Sequence, residues 1–223
     1  MAIDVYWGSG SPYSWRVLLA LEHKRLSYRS HLLQLSLQEQ KSPSMLAMNP
    51  RGRLPVLRDE GYVVFESVAV LYYLDLKYPQ EPLFGRNPEE AAVIMRVIQE
   101  FQAYTEPHLQ RLFGFVFDPH STVTRDELTD AMHVAAREAR TIEQRLAKSD
   151  WIVGESCSAT DLVVFPHIML LLRTLAQPAA RELSSRFLPV DANYPALGRW
   201  IARVEARPGY ARTYPPHWRD AAA

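Results

Sequence analysis

Two short stretches concentrate the reactive side chains of this chain. The first, Ser9-Gly10-Ser11-Pro12-Tyr13-Ser14-Trp15-Arg16-Val17, places serine hydroxyls at the mouth of an apolar run, with Tyr6 a little upstream. The second is Glu66-Ser67, where a strand-like run gives way to a helical one. A hydroxyl at a helix start lies beside unpaired main-chain N–H groups, so it can cap the helix or join those amides in binding an anion. Both roles are open to Ser67, and capping is the ordinary one for serine. Sulfur and metal chemistry have no source in the chain itself. Its single cysteine, Cys157, excludes an intramolecular disulfide, a cysteine zinc cluster and a CxxC redox pair. The seven histidines (His23, His31, His108, His120, His133, His167, His217) show no HxxxH or HxH spacing, and no metal site is predicted. Any thiol chemistry must bring its sulfur from outside.

Composition narrows the classes further. The chain has 223 residues, 48% hydrophobic and 22% charged, within the range of ordinary globular proteins. Twenty-five basic residues balance 25 acidic ones, leaving no long-range field for nucleic acid or an anionic membrane surface. Met1-Ala2-Ile3-Asp4-Val5 has no basic n-region, so no signal peptide is predicted. The most apolar stretch, Leu162 to Leu172, is interrupted by Pro166 and His167 and falls short of the ~18–20 residues that span a bilayer. A cytoplasmic location is the expectation, in keeping with one cysteine.

The elements that must position these residues change character near residue 80. Ile3 to Trp7, Tyr28 to Leu33, Pro55 to Leu57 and Tyr62 to Phe65 read as strands, with Asp59-Glu60-Gly61 as a hairpin turn. Ser14 to Lys24 and Ser67 to Lys77 read as helices. The order βαβ, a variable segment, then ββα predicts a small mixed sheet with a right-handed crossover. Pro79, Pro82, Gly85 and Pro88 mark a linker over 81–88. Beyond it the periodicity is helical: Glu89 to Phe117 with a bend near Pro107, Arg125 to Leu146, Leu162 to Ala176, and Leu197 to Ala206. The spacing therefore predicts two domains, 1–80 mixed α/β and 89–223 all-helical. Ser158 with Asp161 reads as a capping box, and Cys157 as a small apolar residue beside it.

In this order and spacing, Ser11-Pro12-Tyr13-Ser14-Trp15-Arg16-Val17, Asn49-Pro50-Arg51-Gly52-Arg53-Leu54-Pro55-Val56-Leu57, Glu66-Ser67, Ser158-Ala159-Thr160-Asp161, Tyr194-Pro195 and Arg207-Pro208 resemble the glutathione S-transferase superfamily across essentially the whole chain. The resemblance implies a thioredoxin-like N-terminal domain, an α-helical C-terminal domain, glutathione as co-substrate and a homodimer. It also implies a cis peptide bond at Leu54-Pro55, with the Leu54 main chain facing the cysteinyl part of glutathione. Lys41 aligns with a basic residue that meets the glycyl carboxylate, while Arg53 stands where relatives often carry Gln and Gln40 where some carry His. Glu66 and Ser67 match the γ-glutamyl site.

A thiol of pKa ~8.5 is only ~3% thiolate at neutral pH. Lowering the pKa by ~2 units takes ~2.7 kcal/mol, within reach of one hydrogen bond to the charged sulfur plus a helix N-terminus. Ser11, in the S-x-x-x-x-[RK]-[VA] pattern of serine-type classes such as zeta, phi and theta, is the candidate; Ser9, Ser14 and Tyr6 are its rivals. Tyr13 departs from the Ser-Cys pair of zeta enzymes. The acceptor, an apolar electrophile or a hydroperoxide, is expected between the domains, against Phe101, Tyr104, Thr105, His108, Leu112 and Phe115, with Tyr210, Tyr214 and Trp218 from the tail. Two alternatives stand beside conjugation. One is a zeta-like cis–trans isomerase of an unsaturated diacid, using Arg16 and Arg111. The other is a non-catalytic glutathione-fold binding protein.

Overall fold

Alternation of Ile3, Val5 and Trp7 with polar neighbours makes strand β1 (Ile3–Trp7), whose apolar side is buried. In a computed structural model, which describes residues 3–184 and 187–219, β1 is central to a four-stranded sheet of order β2-β1-β3-β4. It pairs in parallel with β2 (Tyr28–Leu32), Val5 opposite Ser30, after the crossover helix α1 (Pro12–His23). It pairs antiparallel with β3 (Val56–Asp59), Val5 opposite Leu57. The hairpin to β4 (Tyr62–Phe65) turns on Glu60 and Gly61, both at positive φ (52° and 89°), the signature of a primed turn. Between β2 and β3 lie two 3₁₀ turns (Leu35–Leu37, Glu39–Lys41) and the short helix α2 (Pro43–Met48). Helix α3 (Ser67–Lys77) follows β4 and packs on α1.

The chain divides into two compact units, one holding residues up to Phe84 and again from Ala206 onward, the other Gly85–Glu205. This corrects the assignment of the C-terminal segment to the helical domain. The reason is α1, which is buried on almost every face. The short helices α11 (Tyr210–Thr213) and α12 (Pro216–Arg219) supply its cover. The Trp15 indole donates to Thr213 Oγ1 at 2.9 Å, and Tyr214 and Trp218 meet its ring edge-on at 5.8 and 5.4 Å. The buried Glu22 carboxylate accepts from Tyr28 at 2.8 Å and from Arg212. Tyr210, Tyr214 and Trp218 therefore serve the interior of the first unit. The unit boundary falls inside the predicted linker. Leu83 and Phe84 donate their main-chain N–H groups to Asp75, and the buried Lys24 ammonium donates to the carbonyls of Tyr78, Gln80 and Glu81.

In the second unit, the long helical run separates into α4 (Pro88–Tyr104) and α5 (Glu106–Phe117) at Thr105, because Pro107 has no N–H to donate to the Ala103 carbonyl and its ring crowds that group. Helices α6 (Arg125–Leu146) and α7 (Ala159–Leu175) complete the core, and Ala131, Ala135 and Ala139 give α6 a small-residue face that is fully buried. Two short helices, α8 (Arg181–Ser184) and α9 (Val190–Asn193), lead to α10 (Pro195–Glu205), which packs on α6. The start of α7 is the predicted capping box. Asp161 accepts from the Ser158 N–H at 2.9 Å, the Ile152 N–H at 3.1 Å and the Trp200 indole at 2.8 Å. Cys157 is buried beside it. No helix of the described residues is long and apolar enough to cross a membrane.

Candidate functional site

The turn from β1 into α1 is held by its own serines. Ser11 is the N-cap of α1, with Pro12 at N1, and its Oγ accepts the Ser14 N–H at 3.3 Å. Ser14 is fully buried and its Oγ accepts the Gly8 N–H at 3.2 Å, so this hydroxyl belongs to the turn. Ser9 Oγ lies 2.6 Å from His217 Nδ1 of α12. Gly10 is required between them: its φ is +78°, and a Cβ there would come within 2.8 Å of His217 Cε1. Tyr6 stacks on His31, centroids 4.6 Å apart, over Asp4. That buried carboxylate accepts from Arg29, His31 and Arg58, which hold its pKa well below the ordinary range. Of the four candidates, Ser11 is half-exposed at a helix N-terminus and accepts a main-chain N–H, which leaves its own hydrogen to donate outward.

The second helix start differs from the sequence reading. The N-cap of α3 is Glu66, at φ +67°, and Ser67 is the first helical residue; the Glu66 side chain makes no capping hydrogen bond. The capping role read for Ser67 is thus corrected. Its Oγ instead accepts from Arg16 Nη1 at 3.2 Å. Arg16 is fully buried, with its guanidinium 4.9 Å from the centre of the Tyr13 ring. The Glu66 carboxylate is exposed, 4.0 Å from Arg51 Nε.

The remaining candidates surround the loop into β3. Leu54-Pro55 is cis, with Leu54 half-buried and Pro55 buried. Asn49, itself buried, donates to the Arg53 carbonyl at 2.8 Å and orders the loop. Lys41 and Arg53 are exposed; Gly52 has a φ of +58°, and a Cβ there would come within 3.3 Å of Lys41 Cγ, so the lysine stem lies close to this loop. Gln40 Oε1 is buried beside it with no hydrogen-bond partner among the described residues.

In the helical unit the six acceptor candidates do not share one surface. Phe101, Thr105 and Leu112 are buried: Phe101 meets His167 edge-on at 5.4 Å, and Thr105 donates to Glu138 at 3.2 Å. They are core residues, as an aromatic or aliphatic stripe at helical spacing usually is. Tyr104 is 68% exposed, Phe115 is half-buried, and His108 lies 3.2 Å from Asp130. Arg111 sits beside His108 and Asp130 at 3.3 and 3.8 Å. The two cations that an acidic-substrate reading needs, Arg16 and Arg111, are therefore committed, one to Ser67 and the other to this surface cluster. Sequence reasoning missed Arg16 as a support for Ser67. Its signals were an arginine within an otherwise apolar helix and the [RK] position of the serine-type pattern.

Residues 10–77 match the family model for the glutathione S-transferase N-terminal domain, and residues 104–208 that for its C-terminal domain. The chain belongs to the glutathione S-transferase family. Glutathione S-transferase A of Pleuronectes platessa is 28% identical over 97% of this chain and 92% of its own length. Glutathione S-transferase F10 of Arabidopsis thaliana is 30% identical over 71% of this chain and 76% of its own. The crystal structure of a glutathione S-transferase from the Antarctic clam Laternula elliptica superposes with a TM-score of 0.82, at 28% identity, covering 99% of this transferase and 95% of that chain.

Proposed function

We propose that in this glutathione transferase the Ser11 hydroxyl donates to the glutathione sulfur and holds it as thiolate, with the N-terminus of α1 behind it. One observation carries the reading: two helix starts in one unit, α1 and α3, keep donors available and are joined by Arg16. The thiol needs a hydrogen-bond donor and a positive dipole end, which Ser11 supplies. The γ-glutamyl α-carboxylate needs N–H and O–H donors, which the uncapped start of α3 and Ser67 supply, while Glu66 faces the ammonium. The Leu54 main chain meets the cysteinyl part, and Lys41 and Arg53 meet the glycyl carboxylate. With the ligand oriented at several points, proximity does the rest: the thiolate attacks an electrophilic carbon or a peroxide oxygen held close to it. Tyr104, His108 and Phe115 are the acceptor candidates that keep accessible surface.

The same reading includes a cytoplasmic role in detoxification and a homodimer, for which the exposed Tyr62, Tyr72 and Leu76 of the first unit supply apolar surface. Turnover of a chloronitroarene and of an organic hydroperoxide with glutathione is the expected result. A maleyl-type diacid should turn over poorly, since Arg16 and Arg111 are engaged elsewhere. Failure to bind glutathione at millimolar concentration would overturn the reading in favour of a non-catalytic binding protein.

A further inference from the structure

We infer that Arg16 is the positioning residue that makes the γ-glutamyl end of the site selective for a carboxylate, by fixing the Ser67 hydroxyl as a donor. The inference rests on the glutathione reading of Ser67 above. A guanidinium has N–H donors only, so at 3.2 Å the Ser67 oxygen must accept. A hydroxyl carries one hydrogen, and with its oxygen engaged by Arg16 that hydrogen points away from the interior. Without Arg16 the same hydroxyl could turn and either donate or accept, and the site would lose its preference for an acceptor-only group.

The surroundings reinforce this polarity. Ser67 opens α3, where the Glu66 side chain makes no capping hydrogen bond, so its hydroxyl and the first main-chain N–H groups all offer hydrogens at one place. A carboxylate, with two acceptor oxygens and no hydrogen, matches that array; an ammonium or an amide N–H does not. The Tyr13 ring, 4.9 Å from the guanidinium carbon, fixes the orientation of the fork. This also gives a purpose to Tyr13, the residue that breaks the zeta pattern. Arg16 itself is fully buried, and its contact with this end of the site is the Ser67 hydroxyl. Because it sits on α1, which Ser11 caps, the same helix sets the thiol end and the carboxylate end of the ligand. The rise from Ser11 to Arg16 along that helix is roughly 7 Å.

The test compares glutathione with 4-aminobutyryl-cysteinylglycine, which lacks only the γ-glutamyl α-carboxylate, by titration calorimetry on wild type, Arg16→Lys, Ser67→Ala and the double variant. Wild type should prefer glutathione by ~10-fold or more, about the value of one well-placed hydrogen bond to a charged group. Arg16→Lys keeps the charge but not the fork. It should lose most of that preference, bind the analogue within about twofold of wild type, and raise the KM for glutathione ~10-fold with kcat within about threefold. The double variant should discriminate no less than Ser67→Ala alone, the non-additivity of residues acting in series. Tyr13→Leu repeats the test without touching a buried charge, and should cut the preference about threefold. Equal weakening of both ligands in Arg16→Lys and Tyr13→Leu, or strict additivity with Ser67→Ala, overturns the inference and leaves Arg16 a packing residue. If wild type binds neither ligand at millimolar concentration, the glutathione reading itself falls and the inference falls with it.

Discussion

Ser158 and Ser67 occupy similar places in sequence, each a serine at a helix start, yet their surroundings oppose one another. At Ser158 the donors converge on one acceptor of the chain itself: Asp161 collects the Ser158 N–H and hydroxyl, the Ile152 N–H and the Trp200 indole. At Ser67 the N-cap side chain makes no capping hydrogen bond, and the buried neighbour is an arginine that can only donate. Ser11 stands between these cases, accepting one N–H and keeping its own hydrogen. A helix start that closes on itself stabilises the fold. One that stays open and is backed by a donor is built to receive an anion.

Breaking the closed start should cost the most stability and the least chemistry. Asp161→Ala strands several buried donors, so unfolding free energy should drop by about 4 kcal/mol, with glutathione affinity of the folded protein unchanged. Urea denaturation beside calorimetric titration checks both halves, and a large affinity loss without destabilisation would erase the contrast between the two units.

The other end of α1 offers a second closed contact. His23 Nε2 donates to the Glu81 carbonyl at 3.2 Å and Nδ1 accepts from Arg207 at 2.6 Å. Burial, and then the Arg207 charge, push its pKa down to about 4. In the unfolded chain His23 takes up its proton near pH ~6.5, before the folded state can, so stability is complete above that pH and is lost as pH falls toward 4. A loss of about 2 kcal/mol between pH 7 and 5 is expected, and His23→Gln should flatten the curve in that window. An identical pH dependence in both proteins would count against this contact.

At the open start, Ser67→Ala should raise the KM for glutathione ~10-fold and lower stability by about 1.5 kcal/mol, since the buried Arg16 guanidinium loses an acceptor. An unchanged KM would show that the Ser67 hydroxyl does not meet the ligand. The smallest effect is expected at Cys157, a buried side chain next to the closed box. Cys157→Ala should shift stability by about 1 kcal/mol or less and leave turnover intact, which a thiol-dependent mechanism would not permit.

Local pattern carried much of this into the sequence. The β1 and β4 runs, α3, α6 and the Ser158–Asp161 box are each defined by residues close together in the chain, and they lie where the periodicity put them. What was illegible depends on partners far apart. The aromatic tail looked like acceptor lining because its partner, Trp15, lies about 200 residues away. Phe101, Thr105 and Leu112 looked like a pocket face because helical spacing does not reveal which stripe faces the core. The uncapped start of α3 depends on a positive φ at Glu66, which no residue preference announces. Arg16 stayed hidden for the same reason, its partner being 51 positions along the chain.

The sharpest single test of Ser11 is the ultraviolet thiolate absorbance of bound glutathione, titrated against pH in wild type and Ser11→Ala. Ionisation near pH ~6.5 in wild type and near ~8.5 in the variant is the predicted result, with a ~25-fold fall in turnover at neutral pH. The same midpoint in both proteins would contradict the assignment of Ser11 as the group that stabilises the thiolate.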